Sequence, residues 1–140
     1  RIQKFDESGN LILELGNTGT DTERLNHPSD VALDPDGDIY VADWVNNRIQ
    51  IYNSEGAYIT SLEGAAFELS KWQQQYVRGN PDVHKARRRV ATLEPEKWFA
   101  LPTGVAFDPV KSRLLAVDSQ RWRIQIYDKL QGYSDPQFNI

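Results

Sequence analysis

The chain has 140 residues, room for one domain with a modest core, and its 39% hydrophobic and 11% aromatic content is that of a folded rather than a disordered chain. A formal net charge of −4 is too small to imply a general attraction to nucleic acid or anionic lipid, and the absence of cysteine excludes disulfides and thiol chemistry while leaving the redox compartment open. No apolar run approaches the length needed to cross a bilayer.

Taken in order, Arg1-Ile2-Gln3-Lys4-Phe5 reads as a strand. Asp6-Glu7-Ser8-Gly9-Asn10 supplies turn residues, and Leu11 to Leu15 is a second strand, so the two form a hairpin. Residues 16–24 are polar and rich in Gly and Thr, hence a loop. A weakly alternating strand over 29–33 follows. The turn Asp34-Pro35-Asp36-Gly37-Asp38 comes next, in which Pro presets φ and Gly takes the left-handed position. Then come a short apolar strand over 39–42, a polar turn around Trp44, and a strand over 48–52 with Ile49 and Ile51 on one face and Arg48, Gln50 and Tyr52 on the other. Asn53-Ser54-Glu55-Gly56 turns the chain into a fourth strand over 57–62.

Residues 64–100 break this rhythm. Leu69, Trp72 and Tyr76 lie at helical spacing within 67–77, Gly79 stops that helix, and Asn80-Pro81-Asp82 provides an N-cap, a proline at the first helical position and an acid in the first turn. Val83, Ala86, Val90 and Leu93 form the apolar stripe of the second helix, and Arg87, Arg88 and Arg89 stand toward its end. A helical hairpin covering a blade or rim with a solvated basic face is expected. The segment carries seven Lys/Arg against four Asp/Glu, leaving about +3 here and about −7 on the rest of the chain.

The strand pattern then returns over 101–132. Pro28 matches Pro102, Asp34-Pro35 matches Asp108-Pro109, Val41-Ala42-Asp43 matches Ala116-Val117-Asp118, and Arg48-Ile49-Gln50-Ile51-Tyr52 matches Arg123-Ile124-Gln125-Ile126-Tyr127. The opening Arg1 to Phe5 is a third, partial copy of that last strand. A four-stranded antiparallel unit repeated at this interval is the signature of a β-propeller blade, and one blade alone leaves both its faces open. The expected fold is therefore mainly β: a partial β-propeller of about two four-stranded antiparallel blades plus a half blade, with a helical hairpin insertion. The units fall at 1–16 (end of a preceding blade), 27–63 (blade), 64–100 (insertion) and 101–140 (second blade, with a fourth strand expected at 137–140). The lack of methionine, with residue 1 inside a repeat, leads to the expectation of a piece of a longer protein.

The stretch HPSDVALDPDGDIYVADWVNNRIQIYNSEG over 27–56 resembles the NHL repeat, with Pro28, Gly37, Asp43, Asn47, Arg48, Ile49 and Gly56 in that pattern's order. The resemblance covers roughly 1–63 and 101–133 and implies a propeller of six, occasionally five, blades used as a binding or scaffold platform. The later copy departs from it, with Val110-Lys111-Ser112-Arg113 at the Gly turn and Arg121-Trp122 in place of Asn46-Asn47.

Asp43 and Asp118 each precede Arg48 and Arg123 by five residues, which suggests a repeated structural ion pair rather than chemistry. Asp30, Asp34, Asp36 and Asp38 crowd one turn, but the position a calcium loop would need for its closing Glu is Val45, so solvated turn residues are expected. His27 and Asp30 are the weak metal candidates. With His84 the only other histidine and no cysteine, a zinc site is disfavoured. No catalytic constellation is visible, and neither catalytic residues nor a cofactor is expected. Trp72, Tyr76, Lys85, Arg87, Arg88, Arg89 and Trp98 are the candidates for binding a partner.

The function expected is that of a non-catalytic scaffold for protein–protein interaction, with the insert selecting the partner. Its partners would be other protein chains or further propeller blades, including copies joined through open blade edges. Two alternatives follow from the family resemblance: a metal-dependent hydrolase or lyase of the gluconolactonase-like or amidating-lyase-like kind, and single-stranded RNA binding.

Overall fold

A computed structural model describes residues 1–131. Its strands form three antiparallel sheets. The first pairs β1 (Ile2–Phe5) with β2 (Leu11–Leu15). The second has the order β3 (Pro28–Leu33), β4 (Ile39–Asp43), β5 (Arg48–Tyr52) and β6 (Tyr58–Leu62). The third has the order β7 (Pro102–Asp108), β8 (Arg113–Asp118) and β9 (Arg123–Asp128). β4 and β8 belong to different sheets, and among the described residues no barrel closes. The strand expected at 137–140 lies outside the described residues, so the third sheet is described with three strands where the second has four.

The two larger sheets share one register. Asp43 pairs with Arg48 and Asp118 with Arg123; Val41 pairs with Gln50 and Ala116 with Gln125; Ile39 pairs with Tyr52 and Leu114 with Tyr127. Both carry a bulge at the start of the first strand, at Pro28/Asp30 and at Pro102/Gly104. The turns repeat as well: Gly37 takes φ 87° in the first, and Ser112 takes φ 51° where the second copy has no glycine.

Strand alternation decides where the core sits. On one face of the second sheet, Tyr40, Ala42, Ile49 and Ile51 pack against Val105, Leu114 and Ala116 of the third, with Tyr40 stacked on Phe107 at 5.5 Å. On the other face, Ile39, Val41 and Tyr52 pack against Leu15 and Leu25, beside Ile2 and Leu13. All of β4 is buried because it is covered on both sides. Each such aliphatic side chain contributes roughly 1.5–3 kcal/mol. The faces with no neighbour stay open. Ile124 and Ile126, which align with Ile49 and Ile51, are more than half exposed. These are stacked propeller blades.

The insertion holds α1 (Lys71–Gly79), α2 (Pro81–Arg89) and one 3-10 turn at Glu94–Glu96. α1 begins later than its apolar spacing suggested, because Ser70 and Gln73 form a capping box: the Gln73 N–H donates to Ser70 Oγ, and the Ser70 N–H to Gln73 Oε1. α2 ends at Arg89, so Val90 and Leu93 lie beyond it. The expectation that the hairpin covers a blade is corrected, since no residue of α1 or α2 is buried. The half-buried positions are Gln73, Gln74 and Val77 of α1 and Val83 and Arg87 of α2; Trp72, Tyr76 and Ala86 face outward.

Candidate functional site

Asp43 sits at the end of β4 with no exposed side-chain surface, and every donor around it comes from the blade or its linker. Its Oδ1 accepts from the Asn26 N–H at 2.6 Å; its Oδ2 accepts from Arg48 Nε at 2.8 Å, Asn46 Nδ2 at 2.8 Å and Gln50 Nε2 at 3.3 Å. Arg48 Nη2 in turn donates to the carbonyls of Asp21 and Arg24, each at 2.7 Å. Gln50 Oε1 accepts from the Tyr52 hydroxyl at 2.9 Å. The carboxylate, guanidinium and amide thus form a bracket that grips the linker entering the blade.

The third sheet repeats the bracket on a different load. Asp118 Oδ1 accepts from the Ala100 N–H at 2.8 Å, and Oδ2 from Arg123 Nε at 2.7 Å and Gln125 Nε2 at 3.1 Å. Arg123 Nη2 donates to the Trp98 and Lys97 carbonyls, and Gln125 Oε1 accepts from the Ala65 N–H at 3.0 Å. Both ends of the insertion are therefore held by one blade. Burial pushes the Tyr127 phenol, whose hydroxyl donates to Gln125, up to about 12.

The acidic turn is not the solvated cluster its composition suggested. Lys129, just past β9, places its ammonium 2.5 Å from Asp34 Oδ2, 2.7 Å from Asp36 Oδ2 and 3.0 Å from Asp38 Oδ2. Asp34 and Asp38 are buried, and Asp34 also accepts from the Tyr40 hydroxyl. Burial opposes the charge on Asp34, but hydrogen bonds from Lys129 and Tyr40 outweigh it and hold the carboxyl below its ordinary value. The same burial opposes the charge on Lys129, and the three carboxylates overcome it, raising its pKa. Sequence reading missed Lys129 because its partners lie more than 90 residues away.

The weak metal candidates are occupied otherwise. Asp30 Oδ2 accepts from the Val105 N–H at 2.9 Å and Oδ1 from the Val31 N–H, so Asp30 stitches β3 to β7. His27 is exposed at φ 55°, in the same left-handed position as Leu101 in the next copy, with Nδ1 2.7 Å from Asn26 Oδ1. Among the described residues no group of three or more His, Cys, Asp or Glu side chains is arranged to hold a metal ion.

The partner-binding candidates divide. Arg87 is turned inward onto Glu96 at 2.9 Å, and Lys85 lies 3.9 Å from Asp82 in an exposed pair. Arg88 and Arg89 are exposed. Trp72 is 76% and Tyr76 62% exposed, one helical turn apart on α1, while Trp98 is 41% exposed at the neck of the insertion. Trp122 was not singled out as a candidate. It is 92% exposed and holds φ 53° where the earlier copy has Asn47, whose Oδ1 accepts from the Leu101 N–H of the following blade.

Residues 25–52, which span the Asp43–Arg48 bracket, match the family model of the NHL repeat. The match to the NHL repeat covers this one blade. The arrangement of the sheets is similar to a crystal structure from Bacteroides thetaiotaomicron VPI-5482 of a protein named "Putative phosphatase". The TM-score is 0.51, with 20% identity over 94% of this chain and 30% of that one. The chain spans about 30% of the length of that structure, and at this identity the likeness is one of fold. No helix among the described residues is long and apolar enough to cross a membrane.

Proposed function

We propose that this chain is a non-catalytic scaffold for protein–protein interaction, in which the blades form the platform and the helical insertion selects the partner. The observation that carries this reading is the outward placement of Trp72 and Tyr76 on a helix none of whose residues is buried. Large aromatics left in water are typical anchors of an interface, and a platform built from stacked sheets presents them at small entropic cost. The brackets support the same reading. Asp43 and Asp118 hold linkers in a bracket repeated from blade to blade, and Asp34 and Asp30 tie one blade to the next. Further blades, or a second copy, would cover the apolar face bearing Ile124 and Ile126.

The test compares the chain with a variant whose residues 67–96 are replaced by a short Gly/Ser bridge. A photo-crosslinker at position 98, which both chains keep, should capture a discrete partner, and the variant should retain none while keeping its β-sheet circular dichroism. A metal-dependent hydrolase is the competing reading, favoured by the name of the Bacteroides protein. Turnover of phosphomonoesters or lactones that a single carboxylate substitution abolishes would overturn the scaffold reading.

A further inference from the structure

We propose that the insertion docks an acidic amphipathic segment of another protein, with Trp72 and Tyr76 as apolar anchors and Lys85, Arg88 and Arg89 as charge contacts. This deepens the scaffold reading and rests on it. Three observations lead to it.

The hairpin is turned inside out relative to a helix laid on a core. Its half-buried face presents Gln73, Gln74, Val77, Val83 and Arg87, whereas the aromatic pair, spaced four residues apart, points to water. Trp, Tyr and Arg are the residues that dominate interface energetics, and two rings one turn apart match the i, i+4 spacing by which helical segments are read.

The charge of the insertion is opposite to that of its surroundings. Residues 64–100 carry about +3 while the remainder of the chain carries about −7. Within α2, Arg87 is engaged by Glu96, so its outward basic residues are Arg88, Arg89 and Lys85, the last also 3.9 Å from the exposed Asp82; they share a helix face at spacings of three and four residues. A short acidic segment fits such a patch. A phosphate polymer does not, because it would extend from the basic hairpin over acidic blades that repel it.

The hairpin stands on a fixed neck. The Phe99 N–H donates to the Glu63 carbonyl at 2.8 Å and the Ala66 N–H to the Lys97 carbonyl at 3.2 Å, while Arg123 grips Lys97 and Trp98. Phe99 itself is buried in the core between the second and third sheets. Anchors on a fixed stalk lose little freedom on binding.

The experiment uses the full 140-residue chain and a fluorescein-labelled helical peptide of about 15 residues, with Leu along one face and Glu on the other. Its comparators are the Leu-scrambled peptide, the Lys-for-Glu peptide and a uridine oligomer. Fluorescence anisotropy at about 20 and about 300 mM salt reads the affinity. The acidic amphipathic peptide should bind about tenfold or more tightly than either peptide control, and weaken at high salt. W72A/Y76A and R88E/R89E should each lose about tenfold or more, with circular dichroism unchanged because all four residues are exposed. Equal binding of the Lys peptide, indifference to both double variants, or retention of the uridine oligomer instead would overturn the proposal. Loss of peptide binding with crosslinked partner capture intact would refute this partner chemistry alone, whereas carboxylate-dependent turnover would refute the scaffold reading beneath it.

Discussion

Lys129 donates to Asp34 across an interval of 95 residues, so the end of one blade is fastened to the first turn of its neighbour. Asp36 and Asp38 complete the cage around the same ammonium. Removing it leaves Asp34 and Asp38 buried without their cation. Lys129→Met should therefore destabilise the chain by about 3–5 kcal/mol, read as a lower urea midpoint at neutral pH. The same pair sets the acid limit. The folded carboxyl of Asp34 titrates below its unfolded value, so its contribution is present above the ordinary carboxylate range near 4 and is lost as pH falls through the folded value. Urea titrations at pH 6 and pH 3 should show a smaller acid loss in Lys129→Met than in the parent; an equal loss would remove the cage from the account.

At the alkaline end Tyr127, Tyr52 and Lys129 all act in one direction, and Tyr127 shows the sign. Its folded value, about 12, lies above the ordinary tyrosine value near 10, so folding favours the protonated phenol. Stability is complete below pH 10 and falls as pH rises from 10 to 12. Phenolate absorbance at 295 nm should lag in the folded chain, and Tyr127→Phe should reduce the loss of stability across that interval.

The two brackets hold different loads, and their loss should be distinguishable. Arg123→Met removes the donor to Lys97, Trp98 and Asp118, while Arg48→Met removes the donor to Asp21, Arg24 and Asp43. Each leaves a fully buried carboxylate short of its partner, at a cost of about 3–5 kcal/mol. Limited trypsin digestion should cut Arg123→Met faster within 78–97 and Arg48→Met faster near Arg24. The same cleavage pattern in both variants would contradict separate loads.

Gly64 tests the neck of the insertion. It sits at φ 105°, and a Cβ there would lie 2.6 Å from the Phe99 nitrogen and 2.8 Å from the Lys97 oxygen, both backbone atoms that cannot swing away. Gly64→Ala should cost at least about 1–3 kcal/mol through strain alone. Gly79→Ala, which meets nothing within 4 Å, should be neutral or slightly stabilising. Thermal melts of the two variants check the contrast.

Much of the blade was legible because its signals are local. Apolar alternation, the Asp-Pro and Gly turns, and the return of Arg-Ile-Gln-Ile-Tyr mark strands without reference to anything distant. The helix pair was legible from Asn80-Pro81-Asp82 and the spacing of Trp72 and Tyr76, although the start of α1 depended on the unremarked capping box at Ser70 and Gln73. The direction of the apolar stripe was not legible, since periodicity tells which residues share a face and not which way the face points. The role of Asp34 and Asp38 was misread for a related reason: a run of acids looks solvated until its cation arrives from another repeat.

Residue order alone determined that small antiparallel sheets recur and that Asp43 with Arg48 and Asp118 with Arg123 occupy matching places, because backbone pairing and turn chemistry act over a few residues. Only the packing of one sheet on the next decided that Lys129 closes the acidic turn, that Asp30 binds Val105, and that Trp72 and Tyr76 stand in water. Those are contacts between surfaces distant in sequence, and burial, which sets the energy of a charge or a ring, is a property of the assembled surfaces.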